Sequence, residues 1–172
     1  RLFYTWTLQC HIDIAKAVWL DYCECKMIDT IAREPLWRHL INYRCGTGHS
    51  VSFVGNVHEG PHALNGRNTT VFKPGMIVTD EPGVYEGGVV GIRIENELEC
   101  YHKASNQYGE FLAFRPITFV PIDTSPVVPG VLTRDQLDWL NAYHRAVFEK
   151  LAPRLTEDER DWLAKKCAAI GA

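Results

Sequence analysis

At 172 residues, 46% hydrophobic and 23% charged, the chain has the make-up of one globular domain with a real core. A net charge of −3 and the lack of a basic run exclude an electrostatic footprint for nucleic acid. No apolar run approaches the roughly 20 residues that span a bilayer, and no signal-peptide pattern is present, so no membrane partner is expected.

Taken in order, Leu8, Ile12, Ala15 and Trp19 recur at helical spacing, which predicts an amphipathic helix from Tyr4 to about Leu20. Residues 21–28 read as a turn. Asp29 is the expected cap of a second helix through about Leu40, bent by Pro35, with Ile28, Ile31, Leu36 and Leu40 on its face. These two helices are expected to cover one side of a sheet. From Cys45 glycines and β-branched residues take over. Strands are expected at Val51–Val57, broken by Gly55, and at Met76–Thr79, with a loop over 61–70 and a turn at Phe72–Gly75. Glu86-Gly87-Gly88 reads as a hairpin tip. Val89 to Cys100 alternates most clearly, with Val90, Ile92, Ile94 and Leu98 on one face and Arg93, Glu95, Glu97 and Glu99 on the other. Phe111 to Pro121 is extended, and Pro126 to Gly130 is a connector. Thr133–Gln136 is a capping box opening a helix with Leu137, Leu140, His144, Val147 and Leu151 on one side; Thr156–Glu159 opens another, ending near Gly171. The expected class is α+β, in three parts: covering helices over 1–44, a mostly antiparallel sheet over 45–121, and carboxy-terminal helices over 131–172.

The chemistry concentrates between Gly46 and Glu95. Gly46-Thr47-Gly48-His49 frees an imidazole to face a cavity, although a histidine there also serves a purely structural role. His58 follows nine residues later. Glu81, before Pro82-Gly83, has a fixed backbone that suits either a ligand or an ordinary turn. Glu95 needs a partner opposite its aliphatic face, and that partner is either Arg93 or a cation. Two imidazoles and two carboxylates fit a divalent metal of the Mn, Fe, Co or Zn kind, and without thiolates they argue against a structural zinc knot. The six cysteines (10, 23, 25, 45, 100 and 167) lack paired CxxC spacing and read as reduced thiols, which places the chain in the cytoplasm; Cys23-Glu24-Cys25 is the alternative metal clip.

Five motifs stand in register: Gly-Thr-Gly-His, Asn-Val-His-Glu-Gly-Pro, Lys-Pro-Gly-Met, Glu-Pro-Gly and Gly-Ile-Arg-Ile-Glu-Asn. With Ala32-Arg33-Glu34-Pro35-Leu36-Trp37 and Leu137-Asp138-Trp139-Leu140-Asn141, they resemble the carboxy-terminal half of the aminopeptidase P (Xaa-Pro aminopeptidase) family of pita-bread metallopeptidases. The resemblance implies a curved, mostly antiparallel sheet with covering helices. It implies His49, Glu81 and Glu95 as metal ligands, Glu95 bridging two ions. It implies His49 and His58 at the substrate, His58 stabilising the tetrahedral intermediate, and Arg93 orienting a bridging carboxylate. Two divalent ions, Mn before Zn or Co, would activate a water that Glu81 helps to deprotonate. The substrate would be a peptide with proline second, which loses its first residue.

The departures carry expectations of their own. The family's dinuclear site also uses two aspartates and a further histidine upstream of Tyr4, and Asp13, Asp21 and Asp29 stand in no motif that replaces them. On this reading the chain is an incomplete half-site, inactive by itself and holding at most one ion weakly. It would associate with its missing amino-terminal half or another chain, or form a homodimer through the terminal helices. Cys45 replaces a histidine, Ser50 and Ser52 replace glycines near His49, and Leu20 to Met27 lacks the glycine-rich turn. The alternative function is a non-catalytic module that binds peptide or protein termini.

Overall fold

A computed structural model describes residues 1–171. The elements, in order, are α1 (Leu2–Ala15), β1 (Val18–Leu20), α2 (Cys25–Trp37), β2 (Gly48–His49), β3 (Ala63–Leu64), β4 (Ile77–Asp80), β5 (Gly83–Glu86), β6 (Val90–Arg93), β7 (Asn96–Asn106), β8 (Gly109–Pro116), α3 (Arg134–Leu151), a 3-10 turn (Ala152–Arg154) and α4 (Glu157–Lys166). Helices enclose a main sheet ordered β1-β8-β7-β4 with every pair antiparallel, and β2–β3 and β5–β6 form two small ladders beside it.

The first helix is shorter than its periodicity predicts. It stops at Ala15, and Val18–Leu20 pairs with Phe111–Ala113 instead. Trp19 accounts for the switch: its ring packs on Phe114 at 4.5 Å and Phe72 at 5.8 Å, a core position that only an extended segment reaches. Nor is α1 simply a cover. Ile14 and Ala15 pack toward the sheet, Leu8 and Ile12 join Leu137, Leu140 and Val147, and Cys10 meets Leu36 and Tyr43. A helix buried on three sides shows little amphipathic contrast.

The second helix starts at Cys25 with Glu24 extended before it, so Asp29 lies inside the helix and is buried rather than capping it. It ends at Trp37, two residues after Pro35 removes a donor, and Leu40 is 97% exposed with φ of 57°. Val51–Val57 forms no strand; this stretch bends outward with Phe53, Val54 and Val57 exposed. The long strand from Val89 to Cys100 is two strands, β6 and β7, interrupted at Ile94–Glu95. The hairpin tip at Gly88 (φ 72°) and the α3 capping box, with Thr133 Oγ1 accepting from Gln136 N–H at 3.2 Å, follow the sequence reading. Helix α4 ends at Lys166, short of the expected Gly171.

Candidate active site

The site is built where β2 presses edge-on against β4. A Cβ on Gly48 would lie 1.7 Å from the Thr79 carbonyl oxygen, so only glycine permits this approach. The contact lets His49 N–H donate to Thr79 Oγ1 at 3.0 Å and Glu81 N–H donate to the Thr47 carbonyl at 2.7 Å. His49 Nε2 then meets Glu81 Oε1 at 2.9 Å, both side chains about one-sixth exposed. The Thr79 hydroxyl donates to the same Oε1 at 2.8 Å, while Arg93 Nη1 stands 3.1 Å from Oε2 and also donates to the Glu81 backbone carbonyl. Arg93 is thus a direct partner of Glu81, and its guanidinium lies 5.5 Å over the Tyr85 ring.

Beneath the site, Arg33 clamps the loop that leads to His49. Its Nε is 2.7 Å from Asp29 Oδ2, and its remaining donors reach the carbonyls of Tyr43 and Cys45 at 2.9 Å and Asn42 Oδ1 at 3.2 Å. Asp29 Oδ1 also accepts the Thr47 hydroxyl. This frame was missed as such in the sequence; the visible signal is the i,i+4 spacing of Asp29 and Arg33. Thr79 was missed too, and nothing about an isolated strand threonine marks it.

The fit to a metal shows in the imidazole itself. His49 Nδ1 lies 3.0 Å from the Ser50 carbonyl and donates to it, so a neutral ring turns the Nε2 lone pair toward a carboxylate oxygen. Two such donors repel unless a proton or a metal ion lies between them. Glu95 stands at the β6–β7 break. Although its side chain is largely exposed, partial loss of water and then the charge of Glu81 push its carboxyl above the usual range, against the pull of Arg93 and His49. The three candidate donors are therefore electrostatically coupled. They do not close into one cage: among the described residues no group of three or more His, Cys, Asp or Glu side chains converges as a metal-holding cluster. His58 lies on the exposed loop, its ring centroid 3.9 Å from that of His49 at 43°.

Other candidates are placed elsewhere. Cys25 is buried in the core, its thiol pushed up to about 11 by burial, so Cys23-Glu24-Cys25 makes no metal clip. All six cysteines are free. Cys45 Sγ approaches the Gly83 carbonyl at 3.6 Å, and Ser50 is buried between β3 and β4. Asp13 takes the Gln136 amide at 2.9 Å, Asp29 is held by Arg33, and exposed Asp21 stands after β1. A large cleft beside α2, lined by Lys26, Asp29, Arg33 and Arg67, does not include His49, Glu81 or Glu95.

An antiparallel sheet backed by helices, with imidazole and carboxylate donors gathered at its edge, is the pita-bread architecture of metallohydrolases. The profile of metallopeptidase family M24 matches residues 1–101, that of the C-terminal region of peptidase M24 matches residues 110–170, and the chain belongs to this family. It is 40% identical over 175 residues to a probable Xaa-Pro aminopeptidase P of Coprinopsis cinerea, covering 97% of this chain and 28% of that protein. It is 41% identical to aminopeptidase P2 of Arabidopsis thaliana, covering 93% and 23%. The crystal structure of an X-prolyl aminopeptidase from Caenorhabditis elegans, described as a cytosolic enzyme with a di-nuclear active site, superposes with a TM-score of 0.90 at 38% identity, covering 98% and 28%. The chain thus spans about a quarter of the length of these relatives. No helix among the described residues is long and apolar enough to cross a membrane.

Proposed function

We propose that this chain forms one wall of a two-metal aminopeptidase site that removes the first residue from peptides with proline second. The observation that carries the reading is His49 Nε2 facing Glu81 Oε1 at 2.9 Å, with Arg93 on the other carboxylate oxygen. The names of the similar proteins, Xaa-Pro and X-prolyl aminopeptidases, point to the same substrate class.

His49, Glu81 and Glu95 would hold divalent metal, with Mn the expected ion; when bound, it supplies Lewis-acid polarisation of the scissile carbonyl and an activated water. The chain's own residues do the rest. Arg93 holds Glu81 Oε2 and the Thr79 hydroxyl holds Oε1, which fixes the carboxylate that would accept the proton of the attacking water. His58, exposed beside His49, donates to the carbonyl oxygen as charge develops on it. The other donors of a metal pair would come from further polypeptide, and Asp13 and Asp29 are already engaged with Gln136 and Arg33. Association with further polypeptide accords with the exposed Leu40, Phe53, Val54 and Val57. We place the protein in the cytoplasm, on the free cysteines and the cytosolic setting of the nematode enzyme. A homodimer through α3 and α4 is part of the same proposal.

The natural protein, supplied with Mn²⁺, is expected to release only the first residue of an Xaa-Pro peptide and to leave an Xaa-Ala peptide intact. Chelation should stop the release. Metal uptake without turnover would instead identify a module that binds peptide termini, and the absence of both uptake and turnover would overturn the reading.

A further inference from the structure

We infer that a buried polar knot of His11, Asp80, Asn96 and Tyr143 is a positioning device that sets the separation of Glu81 and Glu95. The inference rests on the metal-binding reading above.

The register places the knot. Antiparallel pairing of β4 with β7 runs from Ile77–Glu99 to Asp80–Asn96, which is the last pair before the strands part. Glu81 and Glu95 are the next residue on each strand. Because side chains alternate across a sheet, Asp80 and Asn96 turn to the face opposite the two glutamates. Whatever fixes that final pair fixes the points from which both ligand candidates spring.

Three elements hold it. His11, from the middle of α1, brings Nδ1 to 3.0 Å from Asp80 Oδ2 and Nε2 to 3.3 Å from Asn96 Nδ2. The Asn96 amide nitrogen can only donate, so Nε2 accepts and Nδ1 carries the proton that faces Asp80. Asn96 Oδ1 accepts from Thr118 Oγ1 at 3.0 Å and lies 3.1 Å from the Tyr143 hydroxyl of α3, which shares its proton between Asn96 and the Val120 carbonyl at 2.9 Å. Tyr143 Oη in turn accepts the Val120 N–H at 3.2 Å. Trp139 closes the assembly, stacked on Tyr143 at 5.4 Å and edge-on to His11 at 6.2 Å.

The expense of the arrangement argues for a purpose beyond packing. His11 and Asp80 are fully buried, and Asn96 is 3% exposed. His11 Nδ1, 3.0 Å from Asp80 Oδ2, faces a carboxylate that is wholly removed from water. Leaving a buried carboxylate in that state is costly, and apolar side chains of similar size would give a more stable core. What apolar packing lacks is a fixed register, and a metal site that is loose by about 1 Å holds its ion poorly.

The test compares His11→Leu, His11→Gln and Tyr143→Phe in the natural protein. Mn²⁺ binding is titrated by electron paramagnetic resonance, at a temperature where circular dichroism shows each variant folded. Tyr143→Phe and His11→Leu are expected to bind Mn²⁺ about 10- to 100-fold more weakly. His11→Gln, which keeps a donor for Asp80, should recover part of the loss, and at saturating metal the KM for peptide should stay unchanged. Where His11→Leu fails to fold, Tyr143→Phe, lacking a single oxygen, decides. A lower Tm with unaltered Mn²⁺ affinity in Tyr143→Phe overturns the inference while leaving the metal reading intact. A wild-type protein that binds no Mn²⁺ overturns both.

Discussion

The two faces of the junction between β4 and β7 invert each other's chemistry. On one face Glu81, Glu95 and His49 are partly open to water, and the two carboxylates crowd charges of like sign. On the other, Asp80, Asn96 and His11 lie in a closed interior against Trp139 and Tyr143. The backbone is common to both, and only the alternation of side chains separates them. The open face has unfinished coordination and is free to bind; the closed face is occupied by protein and is free to hold. Binding chemistry and mechanical support can thus be perturbed separately, although they are one residue apart.

Substitution on the open face should remove activity while sparing the fold. Glu81→Gln is expected to lower kcat/KM on an Xaa-Pro peptide by roughly 1000-fold, about 4 kcal/mol of barrier. Its stability cost should be about 1 kcal/mol or less, because the Arg93 pair is partly solvated. Assay and thermal melt on one preparation would separate the two; a large fall in Tm would break the comparison.

The support should behave in the opposite way. Asp29→Ala strands the buried Arg33 guanidinium and should cost about 3–5 kcal/mol in a urea melt, with activity falling only as far as the loop that leads to His49 loses its clamp. Leu98, fully buried two residues beyond Asn96, gives a purely apolar control: Leu98→Ala should cost about 2–5 kcal/mol, with Mn²⁺ affinity retained in the folded fraction.

A smaller effect comes from His144 on α3. Its Nε2 accepts the Ile122 N–H at 3.1 Å, and burial lowers its pKa below the ordinary value. The unfolded chain therefore takes up the proton first as pH falls. The stability this histidine contributes is present above about pH 6.5 and lost below it, toward its depressed folded value. Melts between pH 7.5 and 5.5 should show a falling Tm whose slope flattens in His144→Asn.

Much of this was legible in the sequence because it rests on local signals. The capping box at Thr133, the hairpin at Gly88 and the apolar row of Leu137, Leu140 and Val147 declare themselves within a few residues. The motifs around His49, Glu81 and Glu95 were readable as a group, and the structure brings His49 and Glu81 together. What local signals could not show was tertiary. Val18–Leu20 continues a helical period but is drawn into the sheet by Trp19, and Asp29 resembles a cap until Arg33 and Thr47 surround it. The β6–β7 break at Glu95 is hidden by unbroken alternation, since a strand that changes ladders keeps its period. Asn96 closes the Gly-Ile-Arg-Ile-Glu-Asn motif, but its contacts lie on the face opposite Glu95, which alternation along one strand does not reveal.

The central claim is that the open face is a metal site, and anomalous diffraction from crystals of the natural protein grown with Mn²⁺ addresses it most directly. The account predicts anomalous density bonded to His49 Nε2, Glu81 and Glu95, with the direct His49–Glu81 contact replaced by the ion. An intact His49–Glu81 pair, with no density there or with the ion bound elsewhere, would contradict it.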